Sequence, residues 1–276
     1  LMRNILVKLV GQSLNSISYL SKSYAANIAL SLFSKPRKGQ INDIQTAFLE
    51  TAINETVIYE SFQIRTYRWR GNGQTILLVH GWESNSARWK PLIHHLKSYN
   101  YNIVALDAPA HGNSGSPYFN ALLYAEFINE VAKKIQPTSI IGHSVGGMAA
   151  VFFQNKYQLT SIKKMVLLGS PSDFKDVLKR YTDMLGYNSI ISKHLNHIIK
   201  ERFGSEPETF STARYAKTLN AQGLIIHDED DPVIPYSDAL LIQSNFKNSA
   251  LITTKGFGHS LNHKNVTLHI SEFIEN

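Results

Sequence analysis

Short, solid apolar runs recur along this chain, and helical stretches separate them. The runs are Thr75-Ile76-Leu77-Leu78-Val79, Ile103-Val104-Ala105-Leu106, Ser139-Ile140-Ile141, Met165-Val166-Leu167-Leu168, Leu224-Ile225-Ile226 and Ala250-Leu251-Ile252-Thr253. A strand that is apolar without alternation must be buried on both faces. Strands of that kind, alternating with helices, fold as a mostly parallel sheet covered on both sides. The helical stretches fall at residues 87–97, 118–135 and 237–246, with a shorter one at 45–51. Upstream, Thr56-Val57-Ile58-Tyr59 and Phe62 to Trp69 alternate at period two, which predicts an antiparallel pair. In such sheets the functional groups gather beyond the carboxyl ends of the strands. The polar motifs of this chain sit there: His80-Gly81-Trp82, Asp107, Gly142-His143-Ser144 and His227-Asp228.

The most informative strand end is Ile140-Ile141-Gly142-His143-Ser144-Val145-Gly146-Gly147-Met148. Strand, tight turn and Ala-rich helix follow in the order that a nucleophile elbow requires. The turn projects the Ser144 hydroxyl clear of its neighbours. It crowds the positions two before and two after, so Gly142 and Gly146 are the residue types it tolerates. The helix that follows aims its first N–H groups at the place where an oxyanion would develop.

A serine hydroxyl needs a general base. After the strand Leu224–Ile226 comes Asp228-Glu229-Asp230-Asp231-Pro232-Val233-Ile234-Pro235, and after the last strand Gly256-Phe257-Gly258-His259-Ser260. His259, in a glycine-rich loop past a strand end, is the expected base. His263 and His269 sit within the final helical stretch and read as surface residues. Asp231 is the expected acid because it directly precedes the stiffening Pro-Val-Ile-Pro segment; Asp228 and Asp230 are the surface alternatives. Its task would be to fix the His259 tautomer and stabilise the imidazolium. The oxyanion hole should use the backbone N–H groups of Val145 and Trp82, with Gly81 letting the second loop come close. His80 and His111 read as loop braces, and His143 as packed beneath the turn.

Residues 171–218 break the alternation. Val177, Leu178, Tyr181 and Leu185, then Ile191, Leu195, Ile198 and Ile199, repeat at helical spacing. This predicts a helical cap inserted after the sixth strand. Residues 1–50 form an N-terminal helical extension, and 51–276 the main domain with its insertion. Within 1–40, apolar positions from Ile5 to Leu32 recur at helical spacing, and Lys35-Pro36-Arg37-Lys38-Gly39 closes the segment. Two helices packed on the main domain are the favoured reading, and a peripheral membrane helix is the other. No apolar run approaches the length of a membrane span. There is no cysteine, which removes disulfides, thiol nucleophiles and thiolate metal sites and fits a cytoplasmic protein. The net charge is +7, but Lys and Arg are scattered without a long cluster, so nucleic acid is not an expected partner.

Together, His80-Gly81-Trp82, Asp107-x-Pro109-x-His111-Gly112-x-Ser114, Gly142-x-Ser144-x-Gly146, the Asp231-Pro232 loop and Gly258-His259 resemble the α/β-hydrolase superfamily over roughly residues 56–276. The likeness is to bacterial esterase and lipase-like members with a helical lid. It implies an eight-stranded, mostly parallel sheet, a Ser144–Asp231–His259 triad, a small-molecule ester substrate, and neither cofactor nor metal. Two departures stand out. Ala110 replaces a usual glycine, and Asp228 follows the strand-end His227 where glycine is common. The alternatives are a serine aminopeptidase or amidase and a non-catalytic binding protein on the same fold.

Overall fold

The computed structural model describes residues 2–276, with side chains from Leu6 onward. Its strands are β1 (Ile53–Tyr59), β2 (Phe62–Trp69), β3 (Thr75–Val79), β4 (Asn102–Leu106), β5 (Ser139–His143), β6 (Lys164–Leu168), β7 (Gln222–Asp228) and β8 (Ser249–Thr254). They form one sheet in the order β1-β2-β4-β3-β5-β6-β7-β8. β1 pairs antiparallel with β2, and β2 antiparallel with β4; all later pairings are parallel.

The residue types explain the layout. Ile76 to Val79, Ile140, Ile141 and Met165 to Leu167 have no exposed surface, as strands covered on both faces require. β1 lies at the edge and alternates between exposed and half-buried residues. Register then sets the site. Gly142 lies level with Val79 of β3 and Leu167 of β6, and Asp228 level with Thr254. The carboxyl ends of β3, β5, β6, β7 and β8 therefore share one edge.

Some element bounds differ from those read in the sequence, for local reasons. The helix expected at 45–51 runs Asp43–Leu49, because Asn42 and Gln45 form a reciprocal capping box that starts it earlier. Residues 87–97 are a 3-10 turn, Ser86–Trp89, followed by the α-helix Lys90–Leu96. Pro91 is tolerated only in a first helical turn, so a new helix begins there. The helix expected from Tyr118 begins at Ala121, where the Asn120 side chain accepts from the Leu123 N–H.

The chain up to Lys35, with Asp173–Ser211, forms one compact unit; Pro36–Ser172 with Thr212–Asn276 forms the other and holds the sheet. The first unit is helical: Met2–Leu20, Lys22–Ser34, Phe174–Leu185 and Ser189–Phe203. The N-terminal helices thus pack with the inserted ones. Ala25, Ala26 and Ala29 are fully buried, and Tyr181 Oη donates to the Ala29 carbonyl at 2.7 Å. Among the described residues, no helix is long and apolar enough to cross a membrane.

Candidate active site

Ser144 stands between β5 and the helix Val145–Tyr157 with φ +53° and ψ −129°, a conformation that L-residues rarely adopt. Close packing holds it there. A methyl group added at Gly142 would lie 2.5 Å from Gly147 Cα, and one at Gly146 would lie 2.4 Å from the His80 carbonyl oxygen. Gly147, not singled out in the sequence, is equally constrained, since a methyl there would sit 2.0 Å from Ser170 Oγ. Backbone strain of this kind survives only where surrounding contacts over-determine it.

Three side chains far apart in sequence meet above this edge. His259 Nε2 is 3.1 Å from Ser144 Oγ, and His259 Nδ1 is 2.7 Å from Asp231 Oδ2. Ser144 is buried, the Asp231 side chain is fully buried, and the His259 side chain is 20% exposed. Asp231 Oδ1 accepts from the N–H groups of Val233 and Ile234 at 2.8 and 3.0 Å. Burial alone would push this carboxyl up. The hydrogen bonds from His259, Ile234 and Val233 outweigh it and hold the group below the usual carboxylate range, so it is ionised at neutral pH. With an anion on Nδ1, the proton sits there and Nε2 is left free to accept from the hydroxyl. His263 and His269 lie elsewhere: His263 caps the last helix, Lys264–Glu275, and His269 lies within it.

The loop after β3 passes against the serine. A methyl on Gly81 would lie 3.0 Å from Ser144 Cβ. Among the described residues, neither the Trp82 nor the Val145 N–H donates to a protein acceptor. His80 braces this loop: Nδ1–H donates to the Gly81 carbonyl at 2.8 Å, and Nε2 accepts from the Ala108 N–H at 2.9 Å. His111 does the same with the Pro109 carbonyl and the Glu83 N–H. Beneath them, buried Asp107 accepts from Ser86, Tyr67 and Asn113. Gly112 can be nothing larger, since a methyl would meet the Asp107 carboxylate at 2.1 Å. Ala110 keeps the glycine-type φ of +62°, so the substitution leaves the loop's course intact at the cost of local strain.

Two residues depart from the roles read in the sequence. His143 does not pack beneath the turn. Its Nε2–H donates to the His259 carbonyl at 2.8 Å, and its Nδ1 meets the Arg88 guanidinium. Arg88 also donates to the Ser260 carbonyl at 2.9 Å. The pair therefore clamps the loop that carries His259. Asp228 is no surface acid. It is fully buried and accepts from Thr254 Oγ1 at 2.8 Å and from the Phe257 N–H at 2.9 Å, which ties down the same loop from the other side. Gly169 passes beside the pair at φ +54°, a conformation that favours glycine. Arg88 left no trace in the sequence pattern, being 56 residues from the elbow in an ordinary amphipathic stretch. Among the described residues no cluster of side chains is arranged to hold a metal ion.

The buried imidazoles predict an acid-sensitive fold. Burial holds His80 well below the ordinary histidine range. Burial, followed by the charges of Arg88 and His259, does the same to His143. A histidine with a depressed folded pKa gives its full stabilisation above the unfolded value of about 6.5 and loses it as pH falls below that. Stability should therefore fall between pH 7 and pH 5. Asp107, pushed up by burial, works in the opposite sense and offsets part of this. Urea unfolding at pH 7 and pH 5 measures it; equal stability at both would contradict the buried neutral imidazoles.

A family model described as "Alpha/beta hydrolase family" matches residues 76–225. A curated relative, a serine hydrolase-like protein from Danio rerio, is 28% identical over 141 residues, covering 46% of this chain and 43% of the relative. The chain spans about a third to a half of the length of the curated relatives it matches. Among solved structures, Est1E of Butyrivibrio proteoclasticus with bound ferulic acid superposes at TM-score 0.67 and 17% identity, covering 80% of this chain and 97% of that one. An esterase from Exiguobacterium antarcticum gives 0.63 at 16% identity, covering 81% and 100%. These likenesses are to the fold. Because the family match spans more than half of its 276 residues, the chain belongs to the alpha/beta hydrolase family.

Proposed function

We propose that the protein is a serine hydrolase of carboxylic esters, working through Ser144, His259 and Asp231 by way of an acyl-enzyme. The observation that carries this reading is the continuous hydrogen-bonded path from a strained, buried serine through His259 to an ionised carboxylate. His259 Nε2 takes the Ser144 proton as Oγ attacks the ester carbonyl. The negative charge that develops on the carbonyl oxygen is held by the Trp82 and Val145 N–H groups. The tetrahedral intermediate collapses, the C–O bond to the alcohol breaks, and His259 returns the proton to the departing oxygen. Water then enters by the same route, giving its proton to His259 and its oxygen to the acyl carbon; Ser144 leaves with the proton restored. Each step uses protein groups and water.

A serine at the elbow argues against family chemistries that begin with a carboxylate nucleophile. The structural neighbours include an esterase and a ferulate-bound Est1E, and both support esters as the substrate class. The test is a panel of nitrophenyl esters of graded acyl length beside amino-acid anilides. Turnover of esters with little or none of anilides is the expected result. Anilide turnover in preference to esters would replace the reading with an aminopeptidase or amidase.

The clamp behind His259 gives a second check. Arg88→Met removes both anchors that Arg88 supplies. Displacements of about 1 Å at a catalytic group can cost 10²-fold in rate. The expected outcome is a fall in kcat of about 10–100-fold with KM little changed. An unchanged kcat would show that the loop needs no such anchor.

A further inference from the structure

We propose that the first helix, Met2–Leu20, docks this protein on an anionic lipid surface. The charge of the molecule is distributed unevenly. The formal net charge is +7, and the first 42 residues hold Arg3, Lys8, Lys22, Lys35, Arg37 and Lys38 with no aspartate or glutamate. Six of the seven net charges therefore reside in this segment, and the remaining 234 residues are almost balanced.

The same segment exposes an apolar stripe. Leu6 is 63% exposed, Leu9 52%, Tyr19 76% and Leu20 91%, with Tyr24 at 62% just beyond the helix end. At about 100° per residue, Leu9 and Leu20 fall within about 20° of each other and Leu6 about 60° away, so the leucines share one side. Lys8 and Lys22 are exposed beside them. The opposite side of the helix is fixed. A methyl at Gly11 would lie 1.7 Å from the Leu185 carbonyl oxygen. Asn15 bonds both the Gly186 carbonyl and the Asn188 N–H at 2.8 Å, and Ser18 Oγ accepts from Asn188 Nδ2 at 2.9 Å. The helix therefore cannot roll to bury Leu9 and Leu20 without breaking these bonds within its own unit.

Leucines on one side, with Tyr19 and Lys8 at its flank and no acidic residue in the helix, fit an interfacial helix that lies in the plane of a membrane. The apolar side chains enter the headgroup boundary, and the cations meet anionic headgroups. A second copy of this chain would carry the same cations and repel itself across this face, so charge favours lipid over self-association. Serines 13 and 16 interrupt the stripe, which suits reversible contact.

The test is co-sedimentation of the full chain with phosphatidylcholine vesicles, with and without added phosphatidylglycerol. Binding to the anionic vesicles, release by salt, and little binding to the neutral ones are expected. Leu9→Ser with Leu20→Ser should lower the partition coefficient at least about tenfold by loss of buried apolar surface. Lys8→Glu with Lys22→Glu should do the same through charge. Both double variants should keep the wild-type melting temperature and turnover of a soluble ester. The proposal falls if the chain ignores anionic vesicles, or if the leucine variant binds them as well as wild type. It also falls if sedimentation equilibrium shows a dimer that Leu9→Ser with Leu20→Ser dissociates while no vesicle binding occurs.

Discussion

Replacing Ser144 by alanine should lower kcat for ester hydrolysis by about 10⁵–10⁶-fold while leaving the melting temperature within a degree or two of wild type. The size follows from the number of steps that the hydroxyl serves. In the proposed mechanism it is the attacking group, the carrier of the acyl intermediate and the source of the proton that His259 moves. His259→Ala should cost nearly as much, since Nε2, 3.1 Å from Oγ, is the acceptor of that proton. Residues that act as one unit are not additive. The double variant should therefore be scarcely slower than either single one, with any remaining rate coming from binding and the oxyanion donors. Steady-state kinetics on the three variants checks this. Multiplying losses would mean that serine and histidine act independently, which the proposed path does not allow.

Asp231→Asn should lower kcat by about 10⁴-fold at nearly unchanged stability. The direction of the inserted amide is fixed by its surroundings. The Val233 and Ile234 N–H groups donate to Oδ1, so the amide oxygen stays with them and the NH₂ turns toward His259 Nδ1. Two donors cannot face each other, so His259 must carry its proton on Nε2, the wrong nitrogen for taking one from Ser144. Asp228→Asn should behave in the opposite way. Both Asp228 oxygens accept, from the Asp230 N–H on one side and from Thr254 and Phe257 on the other. An amide there leaves a donor facing donors, at a cost of about 1–3 kcal/mol of stability. The contrast between the two variants in kcat and melting temperature separates acid from scaffold. A large kcat loss confined to Asp228→Asn would exchange their roles.

The sheet could be read from the sequence because its signal is local. Strands buried on both faces must be apolar throughout, and six such runs name the strands from Thr75 onward. Elements whose limits depend on single side chains were less legible, as the Asn42 and Asn120 caps and the Pro91 break demonstrate. Within the site, Gly142, Ser144 and Gly146 lie close together in sequence, and a short pattern marks them. Asp231 is one of four adjacent carboxylates, marked in the sequence only by the Pro-Val-Ile-Pro that follows it, and register is what separates it from Asp228 in space. β7 ends level with Thr254, which leaves Asp228 turned into the β8 loop and Asp231 beyond it. The clamp by Arg88 and His143 had no signal at all, because it is a contact between chain segments 55 residues apart whose residue types are common on surfaces. The whole-chain charge likewise hid its own distribution, since a total of +7 gives no hint that one segment carries six of the charges.

In the proposed mechanism the hydroxyl at the strained turn is made nucleophilic by its neighbours. Intact-mass measurement after exposure to a fluorophosphonate, followed by peptide mapping, tests it without any assumption about substrate. One added phosphonyl group per chain is expected, on Ser144, absent in Ser144→Ala and formed orders of magnitude more slowly in His259→Ala. A wild-type chain that remains unlabelled, or that is labelled at a serine other than Ser144, would contradict it.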